Sequence, residues 1–171
     1  MNTHIFVLKT ILGGVVLTSV PAAIGWAPVL IWNASASVPV GLYYVQPEER
    51  LAVMDLVVVT PPEPVAQLLA ERDYLPRGVP LLKSVLALPG QTVCRKHLAI
   101  MIDGVVMSFA RERDHQGRPL PDWQGCRRIA EGEVFLMNWQ SADSLDGRYF
   151  GPLPAASILG CAAPLWTFAE P

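Results

Sequence analysis

The stretch Val79-Pro80-Leu81-Leu82-Lys83-Ser84-Val85-Leu86-Ala87-Leu88-Pro89-Gly90 holds one of the three lysines of this 171-residue chain inside an apolar run. A solvated lysine has no need of such neighbours. Burial penalises the charged ammonium and lowers its pKa, so a neutral amine becomes available near pH 7. The apolar run from Leu81 to Leu88, turned by Pro89-Gly90, predicts a buried strand that carries Lys83. A neutral amine can take a proton from a serine hydroxyl. Upstream lies a serine-rich segment, Asn33-Ala34-Ser35-Ala36-Ser37-Val38-Pro39-Val40-Gly41-Leu42-Tyr43. Together the two stretches predict Ser/Lys hydrolase chemistry. The competing reading of Lys83 is a strand-edge lysine whose stem covers apolar surface; that of Ser35 and Ser37 is an ordinary linker.

Around this strand the pattern is mainly β. Gly41–Gln46 reads as a strand leaving the serine loop. Asp55–Thr60, with Leu56-Val57-Val58-Val59, is a second, stopped by Pro61-Pro62. Glu63–Tyr74 carries Val65, Leu68, Leu69 and Arg72 at helical spacing and reads as one short helix. Leu98–Ile102 and Val105–Phe109 flank Asp103-Gly104, a strong hairpin signal. Arg111–Arg128 is polar and turn-rich. Glu133–Asn138 and Ala156–Trp166 read as two further strands.

Hydrophobic residues make up 51% and charged residues 16% of the chain, too apolar a balance for disorder and one that points to a membrane segment. No charge occurs between Lys9 and Glu48. Within that gap Ile11 to Trp32 is mostly apolar, and its roughly 22 residues at about 1.5 Å each are long enough to cross a bilayer. The expected organisation is residues 1–10 cytoplasmic, 11–32 a transmembrane anchor, and 33–171 an exported domain behind a single pass of the inner membrane. Ala34-Ser35-Ala36 has the small-x-small pattern of a cleavage site, so a cleaved secretory signal is the alternative. Either way the rest of the chain is exported. Export makes a Cys94–Cys126 disulfide an expectation, with Cys161 left over, although sequence does not fix the pairing. A net charge of -2 without a basic patch argues against nucleic acid as a partner. The scattered His4, His97 and His115 and the absence of Cys-x-x-Cys argue against a metal, and no cofactor is expected.

Four ordered segments resemble the type I signal peptidase family, and in particular its conjugative-transfer branch, the TraF-type peptidases. Ser35-Ala36-Ser37-Val38-Pro39-Val40-Gly41-Leu42-Tyr43 is similar to the nucleophile box Ser-x-Pro-x-Gly-x-Tyr. Met54-Asp55-Leu56-Val57-Val58-Val59 is similar to the Gly-Asp-x-Val strand that follows, with Met54 in place of glycine. Leu82-Lys83-Ser84-Val85-Leu86-Ala87-Leu88-Pro89-Gly90-Gln91 is similar to the lysine box, with Ser84 for arginine and Gln91 for aspartate. Asp143-Ser144-Leu145-Asp146-Gly147-Arg148-Tyr149-Phe150-Gly151 is similar to the last box, with Gly147 for serine.

The resemblance implies a β-rich signal-peptidase catalytic fold with a short helix, behind one transmembrane helix. It implies a serine endopeptidase with Ser37 as nucleophile and Lys83 as general base. Ser35 would contribute to the oxyanion hole, Ser144 would orient Lys83, and Asp146 and Arg148 would form a supporting ion pair. The implied partners are the membrane and exported pilin-like or signal-bearing precursors, and some members of the branch join the new pilin ends into a ring. The alternative is a non-enzymatic anchored β domain of an envelope secretion or conjugation assembly. A self-cleaving repressor shares the dyad but normally brings a helix-turn-helix, where this chain has an apolar segment.

Overall fold

A computed structural model describes residues 30–47 and 50–168, together with Val7 and Lys9. Most of the expected anchor, 11–29, lies outside the described residues. Its last three residues do not continue a helix: Leu30–Asn33 form strand β1, paired antiparallel with β2, Gly41–Gln46. Among the described residues no helix is long and apolar enough to cross a membrane.

Two antiparallel sheets make up the domain. The larger has the order β1-β2-β11-β3-β4-β9-β10, where β3 is Leu56–Val59, β4 is Leu81–Ala87, β9 is Glu133–Leu136, β10 is Leu153–Pro154 and β11 is Ile158–Thr167. The smaller has the order β7-β6-β5-β8, with β5 at Thr92–Lys96, β6 at Ala99–Ile102, β7 at Val105–Phe109 and β8 at Gly125–Arg128.

The unbroken valine run of β3 is explained by burial on both faces. Val57 and Val59 pack with Val85, Val134 and Leu136, whereas Val58 packs with Tyr43, Val45 and Leu82. A strand covered on both sides shows a continuous apolar run rather than alternation. β3 pairs with β4 in a register that sets Lys83 opposite Val57. The ten-residue β11 lies between β2 and β3 and pairs with both.

Asp103 and Gly104 both have positive φ, 48° and 85°, the geometry a two-residue type I′ turn requires between β6 and β7. The helix spans Glu63–Glu71 and buries Leu69. It ends short of the expected Tyr74, and Asp73 beyond it takes a left-handed φ of 56°. The polar, turn-rich stretch Arg111–Arg128 also holds strand β8, and β5 has no counterpart among the strands expected from the sequence. Cys94 and Cys126 lie opposite each other on these two strands and are joined by a disulfide.

Candidate active site

The serine loop between β1 and β2 is organised by Asn33, which is 7% exposed. Its Nδ2 donates to the carbonyls of Ser35 (2.8 Å), Val38 (3.1 Å) and Pro39 (3.1 Å), and its Oδ1 accepts from the Ser35 amide at 3.1 Å. The Tyr43 hydroxyl donates to the Pro39 carbonyl at 2.7 Å. Pro39 fixes its own φ and restricts Val38, which stiffens the turn further. The loop so held sets the Ser35 and Ser37 hydroxyl oxygens 3.1 Å apart.

Lys83 is 5% exposed. Its ammonium donates to Ser144 Oγ at 2.7 Å. Burial pushes its pKa down to about 8; the Asp146 charge pulls it back up and the Arg148 charge pushes it further down. A base of that strength is about one-tenth neutral at pH 7, against roughly one part in three thousand for an ordinary lysine.

Ser144 is positioned from the segment behind it. Asp146 caps the one-turn helix Gly147–Phe150, its carboxylate accepting from the Arg148 amide. The Arg148 side chain donates to Asp146 through Nε and Nη2, both at 2.9 Å, and both side chains are fully buried. Arg148 Nη2 also donates to the carbonyls of Ser141 (2.6 Å), Ser144 (3.2 Å) and Asn138 (3.3 Å). A buried ion pair is tolerated only when its remaining donors and acceptors are satisfied, and these contacts satisfy them. The guanidinium thereby fixes the backbone that presents Ser144 to Lys83.

Three buried polar residues that hydrogen-bond to these segments carry no signal in the sequence motifs. Asn33 is one. Arg95, on β5 and 2% exposed, donates to the Arg148 carbonyl at 2.7 Å and ties the smaller sheet to the last motif. Asn138, 1% exposed, follows β9; its Nδ2 donates to Ser37 Oγ at 3.1 Å and to the Leu82 carbonyl at 3.0 Å. Its Oδ1 accepts from the Ser84 amide at 2.9 Å. One side chain therefore bridges Ser37 to both neighbours of Lys83. A buried amide among apolar residues would be the only sequence clue to it, and at the end of a strand an asparagine is more often solvated.

The motif departures have local accounts. Gly147 lies so close to β9 that a Cβ there would meet the Leu136 carbonyl oxygen and the Phe135 ring at 2.7 Å. Gln91 accepts from the Leu88 amide and donates to Asp103, both at 2.9 Å, which ties the Pro89-Gly90 turn to the β6–β7 hairpin. Met54 takes a φ of 80°, a conformation that favours glycine.

This chain belongs to the signal peptidase family: the profile described as signal peptidase, peptidase S26, matches residues 3–166. Its relatives include a probable conjugal transfer protein TraF of Sinorhizobium fredii, 38% identical over 147 residues, which cover 80% of this chain and 77% of the relative. The conjugal transfer protein TraF of Agrobacterium fabrum is 40% identical over 151 residues, covering 80% of this chain and 81% of the relative. A plasmid transfer protein TraF of Escherichia coli is 33% identical over 178 residues, covering 95% and 98%. A solved signal peptidase I from Enterococcus faecalis is 20% identical, covers 66% of this chain and 97% of its own, and superposes with a TM-score of 0.41.

Proposed function

We propose that this chain is a membrane-anchored serine endopeptidase that cleaves exported pilin-like or signal-bearing precursors for conjugative transfer. One observation carries the chemistry: a buried lysine with a pKa lowered to about 8 sits on a strand that Asn138 ties to the Ser37 hydroxyl.

In the proposed reaction the neutral Lys83 amine removes the Ser37 proton as Oγ attacks the scissile carbonyl. The Ser35 hydroxyl and the Ser37 amide donate to the oxyanion. The Lys83 ammonium returns the proton to the leaving amine, giving an acyl-enzyme that water then hydrolyses. In the free protein Ser37 Oγ contacts Ser35 and Asn138 while Lys83 contacts Ser144. Such catalytic contacts commonly tighten only once substrate is bound. If the amine at the other end of the pilin attacks the acyl-enzyme in place of water, the product is a ring.

The conjugal transfer names of the relatives support the biological setting. The membrane reading is supported by the charge-free stretch between Lys9 and Glu48. It is also supported by exposed Trp32, Trp166 and Phe168, which pack on one another beside the start of the serine loop; aromatic side chains favour the bilayer interface.

The test uses purified wild type, Ser37→Ala and Lys83→Ala in detergent with a precursor bearing an Ala-x-Ala site, read by intact mass. Cleavage by wild type alone is expected. Equal cleavage by all three places the chemistry elsewhere. No cleavage of a cognate pilin precursor by folded wild type favours a non-enzymatic scaffold. A product one water lighter than the cut linear pilin identifies cyclisation, and linear product alone excludes it.

A further inference from the structure

We propose that Asn138 is a positioning residue for the nucleophile, holding the Ser37 oxygen in register with the lysine strand. The inference rests on the peptidase reading above and adds to it a residue that lies outside the four motifs.

The side-chain amide nitrogen can only donate. Its bond to Ser37 Oγ at 3.1 Å therefore fills one lone pair of that oxygen and turns the hydroxyl proton away from Asn138. The proton is left for an acceptor on another side, and Ser35 Oγ stands 3.1 Å away. The other end of the carboxamide is fixed: Nδ2 also meets the Leu82 carbonyl at 3.0 Å, and Oδ1 meets the Ser84 amide at 2.9 Å. These are the two bonds that a residue on a neighbouring parallel strand would make to the residues flanking Lys83. The side chain thus takes the place of a strand where the β4–β9 ladder stops after Leu136 opposite Val85. Nucleophile and base are referenced to the same two peptide groups. Asn138 is itself set from behind through its backbone, whose amide donates to Asp146 and whose carbonyl accepts from Arg148.

A donor to Ser37 Oγ binds an oxygen that is losing its proton more strongly than a neutral hydroxyl, because charge-assisted hydrogen bonds are the stronger kind. The contact therefore favours the attacking state over the resting one, and its loss should appear in kcat rather than in KM. Substitution of the side chain leaves the backbone bonds to Asp146 and Arg148 in place.

The experiment measures kcat and KM of full-length wild type, Asn138→Ala, Asn138→Asp and Ser37→Ala in detergent on the Ala-x-Ala precursor. Thermal unfolding of each sets a temperature at which all are folded. The expected result is a fall in kcat of about tenfold or more in both Asn138 variants, part of what positioned proton transfer contributes, with KM within about twofold of wild type. Asn138→Asp keeps the acceptor to Ser84 but has no amide donor. Its carboxylate near Lys83 should also move the acid limb of the kcat–pH profile upward, a shift that a purely structural role would not produce. Folded Asn138→Ala with kcat within about twofold of wild type, or with only KM raised, overturns the inference and leaves the dyad intact. Cleavage by Ser37→Ala at the wild-type rate overturns the peptidase reading and the inference with it.

Discussion

Lys83 donates to Ser144 Oγ at 2.7 Å, and the carbonyl of that same serine accepts from Arg148 at 3.2 Å. The lysine is thus oriented by a residue whose own backbone is pinned by the buried ion pair. Ser144→Ala removes this hydrogen bond while leaving the backbone pinned. The expected outcome is a fall in kcat of about tenfold or more with little change in stability, checked by turnover of a precursor peptide beside a urea titration.

The pH dependence follows from Lys83 as well. On the proposed mechanism activity requires the neutral amine, so kcat/KM should rise with pH through about 8 and then level off. An acid limb near pH 6 or below would implicate a different base.

Stability carries the same signature with a defined sign. The folded pKa of about 8 lies below the ordinary 10.5, so folding disfavours the ammonium. That penalty is full below about pH 8 and disappears above about pH 10.5. Relative to wild type, Lys83→Met should therefore gain on the order of 3 kcal/mol as pH falls through that window, read from paired urea titrations at its two ends.

Ser35 Oγ stands 3.1 Å from Ser37 Oγ at the exposed side of the serine loop. Ser35→Ala should slow cleavage by about a hundredfold, the loss associated with one oxyanion-hole donor, without unfolding the domain. Unchanged turnover would remove Ser35 from the mechanism.

Arg148 is a large, fully buried side chain with its charge met by Asp146 and three carbonyls. Arg148→Met leaves the Asp146 carboxylate buried without its partner, which should cost about 3–5 kcal/mol. Met54→Gly acts in the opposite direction. It relieves a non-glycine residue at φ 80° and should add about 1 kcal/mol, measured by the same denaturation experiment.

What the sequence made legible was the part whose physics is local. The valines of β3, the apolar run around Lys83 and the Asp103-Gly104 turn each state their conformation within a few residues. β5 was hidden because it carries Arg95 and Lys96, and the burial of Arg95 depends on the distant carbonyls of Pro121 and Arg148 as well as the nearby one of His97. β8 was hidden because all four of its residues are exposed, so no alternation marks it and only pairing with β5 defines it. Leu30–Trp32 read as the end of an apolar span because composition does not separate a membrane helix from an apolar edge strand. Lys83 stands out by its apolar run and the roles of Ser35, Ser37 and Ser144 come from motif order, whereas Asn33 and Asn138 make contacts that form only when the sheet does.

Strand β1 joins the sheet at Leu30, and the serine loop begins straight after Asn33. A flexible leash would let the cutting point wander over a range of heights. Four paired residues, spanning about 13 Å, act instead as a rigid mount, so on the proposed anchored reading the hold on the chain before residue 30 would also set the height of Ser37. Such an enzyme would measure its substrate as well as cut it: of two bonds with the same flanking residues, the one presented at the level of the mount would be chosen.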